Sequence, residues 1–365
     1  MRPRAIRAIG IILALGAALA LGACVDPRED PLSGEEIWGT GDAPEPAAAQ
    51  IDYRERRDGA GYGLPRPGQK GIADLIALFP TEEAGFNDPD IFAAPGVFDG
   101  PGAFQCRGGS PRVVNELPIE IEAVVTIYPR QYMKVTVCGQ DERHYGSFTL
   151  EDDTGGIVVL RDSRVTPWSY GDRVKVKVNA LMLTFGRDLD TRAILLSDIE
   201  PAPQAIEGGQ VIKPIFFEKK SEPFTAADAS RVKQIEGFVH IQPTNDNFGS
   251  LVLTSTPIPV GVGGQTFQGE ALQCVRSCEF ACQQGPCESA LVCGDACAEA
   301  CLRLGGTSVS NDALPKCWMV GVDSELQRRG FFPSVGARLQ IRGPVVNNFD
   351  RAMWLLDLGQ VQELD

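Results

Sequence analysis

The strongest constraint on this chain is that its second half repeats the order of its first. Ile121-Glu-Ala-Val-Val-Thr-Ile-Tyr-Pro129 is matched by Ile235-Glu-Gly-Phe-Val-His-Ile-Gln-Pro243, with Ile, Glu, Val, Ile and Pro at one constant shift. Gly146–Leu150 then matches Gly249–Leu253, Asp162-Ser163 matches Asp323-Ser324, Gly171–Val176 matches Gly336–Ile341, and Asp198–Glu200 matches Gln360–Gln362. Matches that recur in one order point to a single structural unit used twice. Each falls on a strand-like run. Val174, Val176 and Val178 alternate with Arg173, Lys175 and Lys177, the period of two expected where one face is buried and the other is wet.

The first copy reads as five strands, about 119–137, 145–152, 156–161, 172–184 and 190–200. Glu151-Asp-Asp-Thr-Gly-Gly156 joins the second to the third, and its Asp and Gly residues suit a tight hairpin that needs positive φ. The stretch from Phe148 to Val159, with Asp152, Thr154 and Gly155 at its turn, resembles the β2–β3 hairpin of bacterial OB-fold domains. Tyr170-Gly-Asp-Arg-Val-Lys-Val176 resembles the fourth strand of that fold. The resemblance covers 112–200 fully and 230–365 in outline. It implies a mainly β protein of two OB-like five-stranded barrels, a fold that commonly binds oligonucleotides or sugars. The second copy lacks the Asp-x-Thr-Gly turn, so no ligand role of that hairpin is expected there.

In place of that turn the second copy carries an insertion, 254–316, with eight cysteines inside it or at its edge. Cys274, Cys278 and Cys282 step by four, as do Cys293, Cys297 and Cys301. A four-residue step on an α-helix turns about 400°, which keeps each triplet on one slowly drifting face. Gly285-Pro286 breaks the chain between them. In two antiparallel helices opposed residues share one sum of residue numbers, and Cys274 with Cys301, Cys278 with Cys297 and Cys282 with Cys293 all do. Three disulfide rungs are expected, with Ala281, Ala290, Ala296 and Ala300 letting the axes approach. Elimination pairs Cys287 with Cys317, and Cys106 with Cys138. Zinc is the alternative reading of such spacings; the absence of nearby histidine and the symmetry of the triplets favour staples and no metal. An insertion this small cannot bury a self-sufficient core without staples, and as a knob on a barrel it is a candidate partner-binding surface.

The N-terminus supplies the reason to expect oxidised thiols. Arg2, Arg4 and Arg7 precede an uncharged apolar run from Ile9 to Leu21, a signal-peptide pattern too short for a comfortable membrane span. Leu21-Gly22-Ala23-Cys24 resembles the lipobox of bacterial lipoproteins. That resemblance implies cleavage of 1–23, a lipid such as palmitate on Cys24, and a membrane as partner through that lipid. Val25 rather than Asp follows the cysteine, which by similarity to enteric lipoproteins favours the outer membrane over the inner, facing the periplasm or the cell surface. Of eleven cysteines, Cys24 is spent on lipid and an even ten remain in a compartment where thiols oxidise. Residues 24–70, rich in Pro, Gly, Ala and charge, read as a disordered tether. Residues 71–111 read as loop with a helical turn or two at 72–79, 112–203 as the first OB-like domain, 204–229 as a linker, and 230–365 as the second domain.

Reaction chemistry is sparse. The net charge of −14 repels phosphate backbones, so nucleic acid is not an expected partner. His144 and His240 are the only histidines. Gly-x-Ser-x-Gly, His-Glu-x-x-His and Gly-x-x-x-x-Gly-Lys are all missing, and no catalytic residue or cofactor is expected. Glu151, Asp152 and Asp153 form either a plain hairpin or a calcium site, as do Asp188 and Asp190. Arg173, Lys175 and Lys177 form a basic stripe on one strand face with Tyr128, Tyr132, Tyr145 and Trp168 nearby, the place to look for a ligand. The favoured reading is a non-enzymatic, membrane-anchored envelope lipoprotein that binds a protein or glycan through its barrels and its knob. A secreted hydrolase with an acidic loop site at Asp152 and Asp153 is the runner-up, and DNA capture on the basic strand is third. Oligomeric state is not legible in the sequence.

Overall fold

The computed structural model describes residues 51–79, 115–127, 135–136, 143–144, 148–160, 168–184, 191–244 and 249–365, apart from scattered positions within these spans. Cys24, the leader and tether up to residue 50, Cys106, Cys138, Tyr128, Tyr132, Tyr145, Asp188 and Asp190 lie outside them.

The described chain begins with β1 (Tyr53–Glu55) and a short helix α1 (Ile72–Ile76). Strand β2 (Ile119–Val125) follows, and between it and β5 (Phe148–Glu151) lies a small ribbon of β3 (Val135–Thr136) and β4 (Arg143–His144). With β6 (Gly156–Leu160), β7 (Arg173–Thr184) and β8 (Thr191–Pro201), strands β2 and β5 close a five-stranded barrel in the order β2-β5-β6-β8-β7. Alternation drives the closure: Ile121, Ala123, Val125, Phe148, Leu150, Ile157, Val159, Val174, Val176 and Val178 are buried together in one core. Their strand neighbours point the other way.

The segment between the barrels is not a plain linker, since it holds the ribbon β9 (Ala205–Glu207) and β10 (Gln210–Ile212), then β11 (Ile215–Lys219). The second barrel closes through β12 (Val232–Ile241), β13 (Ser250–Thr254), β14 (Cys317–Val322), β16 (Asp350–Leu355) and β15 (Arg338–Asn348), the last returning to β12. Strands β11 and β1 extend its sheet in parallel beyond β12. The insertion between β13 and β14 forms two helices, α2 (Gly269–Gln283) and α3 (Ala290–Arg303). The fold is therefore mainly β, with two five-stranded barrels and a stapled helical pair on the second.

The internal repeat predicts the pairing. Val176 lies opposite Ile199 in the first barrel, and their counterparts Ile341 and Val361 lie opposite each other in the second. The copies differ in that β8 runs unbroken for eleven residues across a register shift. In the second copy the same path is split by a turn at Leu358–Gln360 into β16 and β17 (Val361–Leu364).

The expected tether needs correction over 51–70. Tyr53–Glu55 pairs in parallel with Ile215–Phe217, Tyr62 and Leu64 are buried against Val124 and Phe216, and Lys70 bridges Ile121. The segment is a strap that touches both barrels. Two large apolar side chains and a row of backbone hydrogen bonds offset the entropy cost of ordering a stretch whose composition reads as linker.

Candidate functional site

The acidic turn at Glu151-Asp152-Asp153 is where the candidate chemistry concentrates, and its oxygens are occupied by the chain itself. Asp153 accepts from Arg56 Nη1 at 2.6 Å and from the backbone N–H groups of Tyr62, Gly63 and Leu64 at 2.8, 2.8 and 3.2 Å. Asp152 accepts from Ile72 N at 2.7 Å through one oxygen, and from Thr154 N, Thr154 Oγ1 and Gly155 N through the other. Thr154 Oγ1 also accepts from Ala73 N at 3.0 Å. Asp152 and Thr154 thus cap α1 from another element, satisfying donors that the first turn of a helix cannot satisfy within itself.

Glu151 is 1% exposed and points at the second barrel. Its Oε1 accepts from Arg56 Nη2 at 3.0 Å and its Oε2 from Val232 N at 2.9 Å. Burial pushes its carboxyl up to about 7, against the pull of Arg56, the Val232 N–H and Arg231. Burial likewise raises Asp152, opposed by Thr154 and the backbone N–H groups it holds. Arg56 lies over the rings of Tyr62 and Phe216, at 5.2 and 5.9 Å from their centroids. A run of ion pairs continues into the second barrel: Arg231 to Glu218 at 3.3 Å, Lys233 to Glu218 and to Asp228, and Lys220 to Asp228 at 2.8 Å. Burial alone would raise Asp228 and Glu218, but these lysines, the Thr225 N–H beside Asp228 and the arginines beside Glu218 hold both below the usual carboxylate range. A cation at Asp152 and Asp153 would have to displace protein donors from every oxygen. The turn is built as a clamp on the strap.

The basic stripe is balanced in register. Lys175 lies between Glu122 on β2 and Glu200 on β8, and Lys177 between Glu120 and Asp198. Lys175 Nζ reaches Glu120 at 2.8 Å, and that carboxylate raises the lysine pKa. Arg173 is half-buried and donates to Tyr62 O at 2.6 Å, beneath the strap. The two lysines of the stripe thus face acidic residues on both sides. Trp168 packs partly buried against the first core, and its Nε1 has no hydrogen-bond partner among the described residues. The signal for the compensation was present in the sequence as acidic pairs spaced by two in both flanking strands.

The strand 2–3 face of each barrel, the surface an OB fold offers to ligands, is covered. In the first barrel Thr149, Glu151 and Val158 turn outward yet are all within 1% of full burial. Gly156 lies so close to the second barrel that a Cβ on it would meet Ser230 O at 2.1 Å. Val346, Trp354 and Leu356 of the second barrel pack against the first core. In the second barrel the helical pair covers the face. Leu251, Leu253, Trp318 and Val320 point inward, while Val252, Cys317 and Met319 point outward into the apolar layer of the helices. The expected knob is therefore laid down on the barrel, and not projected from it. The sequence signal is the unbroken apolar run of β13, where alternation alone would leave Val252 wet.

Four disulfides fasten this layer. Cys274–Cys301, Cys278–Cys297 and Cys282–Cys293 join α2 to α3 with Cα separations of 6.0, 5.6 and 5.7 Å. Cys287–Cys317 ties the interhelical loop to β14 at 5.0 Å. His240 Nε2 lies 3.0 Å from Asp295 on α3, and Asp295 also accepts from Gly261 N and Gly263 N. This buried pair joins β12 to the helices. His144 lies in β4.

No family model matches the chain, and no curated protein matches it. Among solved structures, a deletion mutant of the single-stranded DNA binding protein from Thermus aquaticus is similar at 10% identity, over 67% of this chain and 94% of that one, with a TM-score of 0.16. A likeness that slight carries no argument about fold or activity.

Proposed function

We propose that the chain is an exported, lipid-anchored envelope protein whose folded body is a rigid binding scaffold for a protein or glycan, without catalysis of its own. The observation that carries this reading is the helical layer held by four disulfides, since such bonds persist in oxidising compartments outside the cytosol. The lipobox-like Leu21–Cys24 supports the anchor, and Val25, by resemblance to enteric lipoproteins, leans toward the outer membrane. The carboxylates that a hydrolase would need serve as strap contacts, which leaves that alternative without a supporting observation.

With both strand 2–3 faces covered, the surface offered to a partner is the solvent side of the helical layer, where Phe280 and Leu291 stand 72% and 70% exposed. Exposed aromatic and aliphatic anchors on a rigid element are what partner recognition uses. The test is fractionation of the producing cell, combined with photo-crosslinking from position 280. The wild-type chain is expected in the membrane fraction and Cys24→Ala in the soluble export fraction, with one discrete adduct formed from position 280. A cytosolic chain, or a body that crosslinks to nothing from the helical layer, would count against the proposal.

A further inference from the structure

The β9–β10 ribbon is built inside out. Its strands pair Ile206 with Val211 directly across the ladder, so both side chains stand on one face. That face is turned to solvent: Ile206 is 71% and Val211 61% exposed. The other face is turned to the body, where Glu207 pairs with Arg54 at 2.9 Å and Ala205 and Ile212 are half-buried. A two-stranded ribbon resting on a protein ordinarily buries its larger apolar residues and wets the smaller and polar ones.

The base of the ribbon is fixed and its tip is free. Gln204 holds Arg173 through both of its amide atoms, and Lys213 pairs with Asp172 at 2.7 Å. Gly171 has φ +75°, and a Cβ on it would meet Lys213 O at 2.2 Å, so nothing bulkier fits beneath that end. At the tip, Gly208 and Gly209 have φ +58° and +80° with no atom near either missing Cβ. The apolar pair is thus presented rigidly beside a tight turn.

The position of the ribbon says what it meets. Arg54, its ion-pair partner, lies in β1, the first strand of the described body, which begins at Ile51, so the described body starts beside this ribbon. With Cys24 anchored as proposed, residues 25–50 reach at most about 90 Å, so Ile51 and the ribbon beside it stay within that distance of the bilayer. The charges next to the apolar pair nearly cancel, Arg54 facing Asp52 and Glu207 and Lys213 facing Asp172, with one carboxylate in excess, which limits the repulsion an acidic body otherwise feels at an anionic surface.

From this juxtaposition we propose that the ribbon is a second membrane contact, with Ile206 and Val211 entering the interfacial region of a lipid surface and setting the orientation of the body. The proposal rests on the anchoring of Cys24 proposed above. The test uses the full mature lipidated chain, reconstituted in vesicles of phosphatidylethanolamine and phosphatidylglycerol and compared with the same protein in detergent. Flotation reads the anchor and amide hydrogen exchange over 205–212 reads the ribbon. Flotation with exchange slowed about tenfold or more, and return to the detergent rate in Ile206→Asp/Val211→Asp, supports the proposal; both side chains are exposed, so the double variant keeps the barrels folded. Flotation with unchanged exchange at the ribbon overturns the contact and leaves the anchor standing. A wild-type chain that fails to float overturns both. Protection that rises with protein concentration in the absence of vesicles would assign the pair to a second copy of this chain and overturn the lipid reading.

Discussion

Replacing Asp153 by alanine tests whether the acidic turn is a clamp. The substitution strands four donors at once: Arg56 Nη1 and the N–H groups of Tyr62, Gly63 and Leu64. A hydrogen bond to a charged acceptor contributes ~1.5–3 kcal/mol. Asp153 keeps 32% of its side chain in water, however, and the freed loop donors regain solvent, so the total falls well short of the sum. About 2–4 kcal/mol is the expected loss, and it is local first, because all four donors belong to the strap. Hydrogen exchange read by mass spectrometry over 56–72 should accelerate by about 30- to 1000-fold. Exchange in β13 and β14 should keep the wild-type rate. Asp153→Asn, with shape but no charge, should fall between. If Asp153→Ala left strap exchange and the unfolding midpoint untouched while abolishing calcium binding or a measured turnover, the clamp reasoning would be refuted.

Three further outcomes follow from the geometry. Gly156→Ala forces a methyl group against Ser230 O and should cost about 3 kcal/mol or more by wedging the barrels apart, seen as a lowered thermal midpoint; an unchanged midpoint would contradict the packing. Glu151 binds its proton more tightly folded than unfolded, with a carboxyl raised from 4.5 to about 7. Its contribution is therefore full below 4.5 and is lost as pH rises through about 7, a decline of roughly 2–4 kcal/mol that urea midpoints across that range should register and Glu151→Gln should flatten. Removing Cys287–Cys317 by paired serine substitution reopens a loop with a sequence separation of 30, worth ~3–4 kcal/mol in the chain-entropy account. The helical pair, still held by its three rungs, should lose only its attachment to β14, so cleavage by a protease near residue 285 should speed up while helix content stays constant.

The parts of the fold legible in the sequence are those governed by period and spacing. Alternation around Val174–Val178 marked the barrel strands, and the internal repeat anticipated that Ile199 and Val361 would take equivalent partners. Constant-sum pairing of the cysteine triplets anticipated the rungs between α2 and α3. The strap is not legible in the sequence because its anchors are sparse: Tyr62 and Leu64 carry the burial, while the remaining contacts come from backbone N–H groups, which leave no mark on composition. The acidic turn suggested a ligand site for the same reason, since a carboxylate awaiting a cation and one awaiting the chain's own amides look alike in sequence. The lysine stripe was visible, but its neutralisation depended on the register of β2 and β8, which fixes Glu120, Glu122, Asp198 and Glu200 beside it. Covering of both strand 2–3 faces is a tertiary fact, hinted at only by apolar residues such as Val252 where a wet position was due.

Export to an oxidising compartment under a lipid anchor is the claim on which the functional account stands. It is tested most directly by peptide mapping, without reduction, of the protein taken from the membranes of the cell that makes it. The account predicts a first peptide that starts at an acylated Cys24, together with linked peptides joining Cys274 to Cys301, Cys278 to Cys297, Cys282 to Cys293 and Cys287 to Cys317. An intact leader beginning at Met1 and free thiols along α2 and α3 would contradict it.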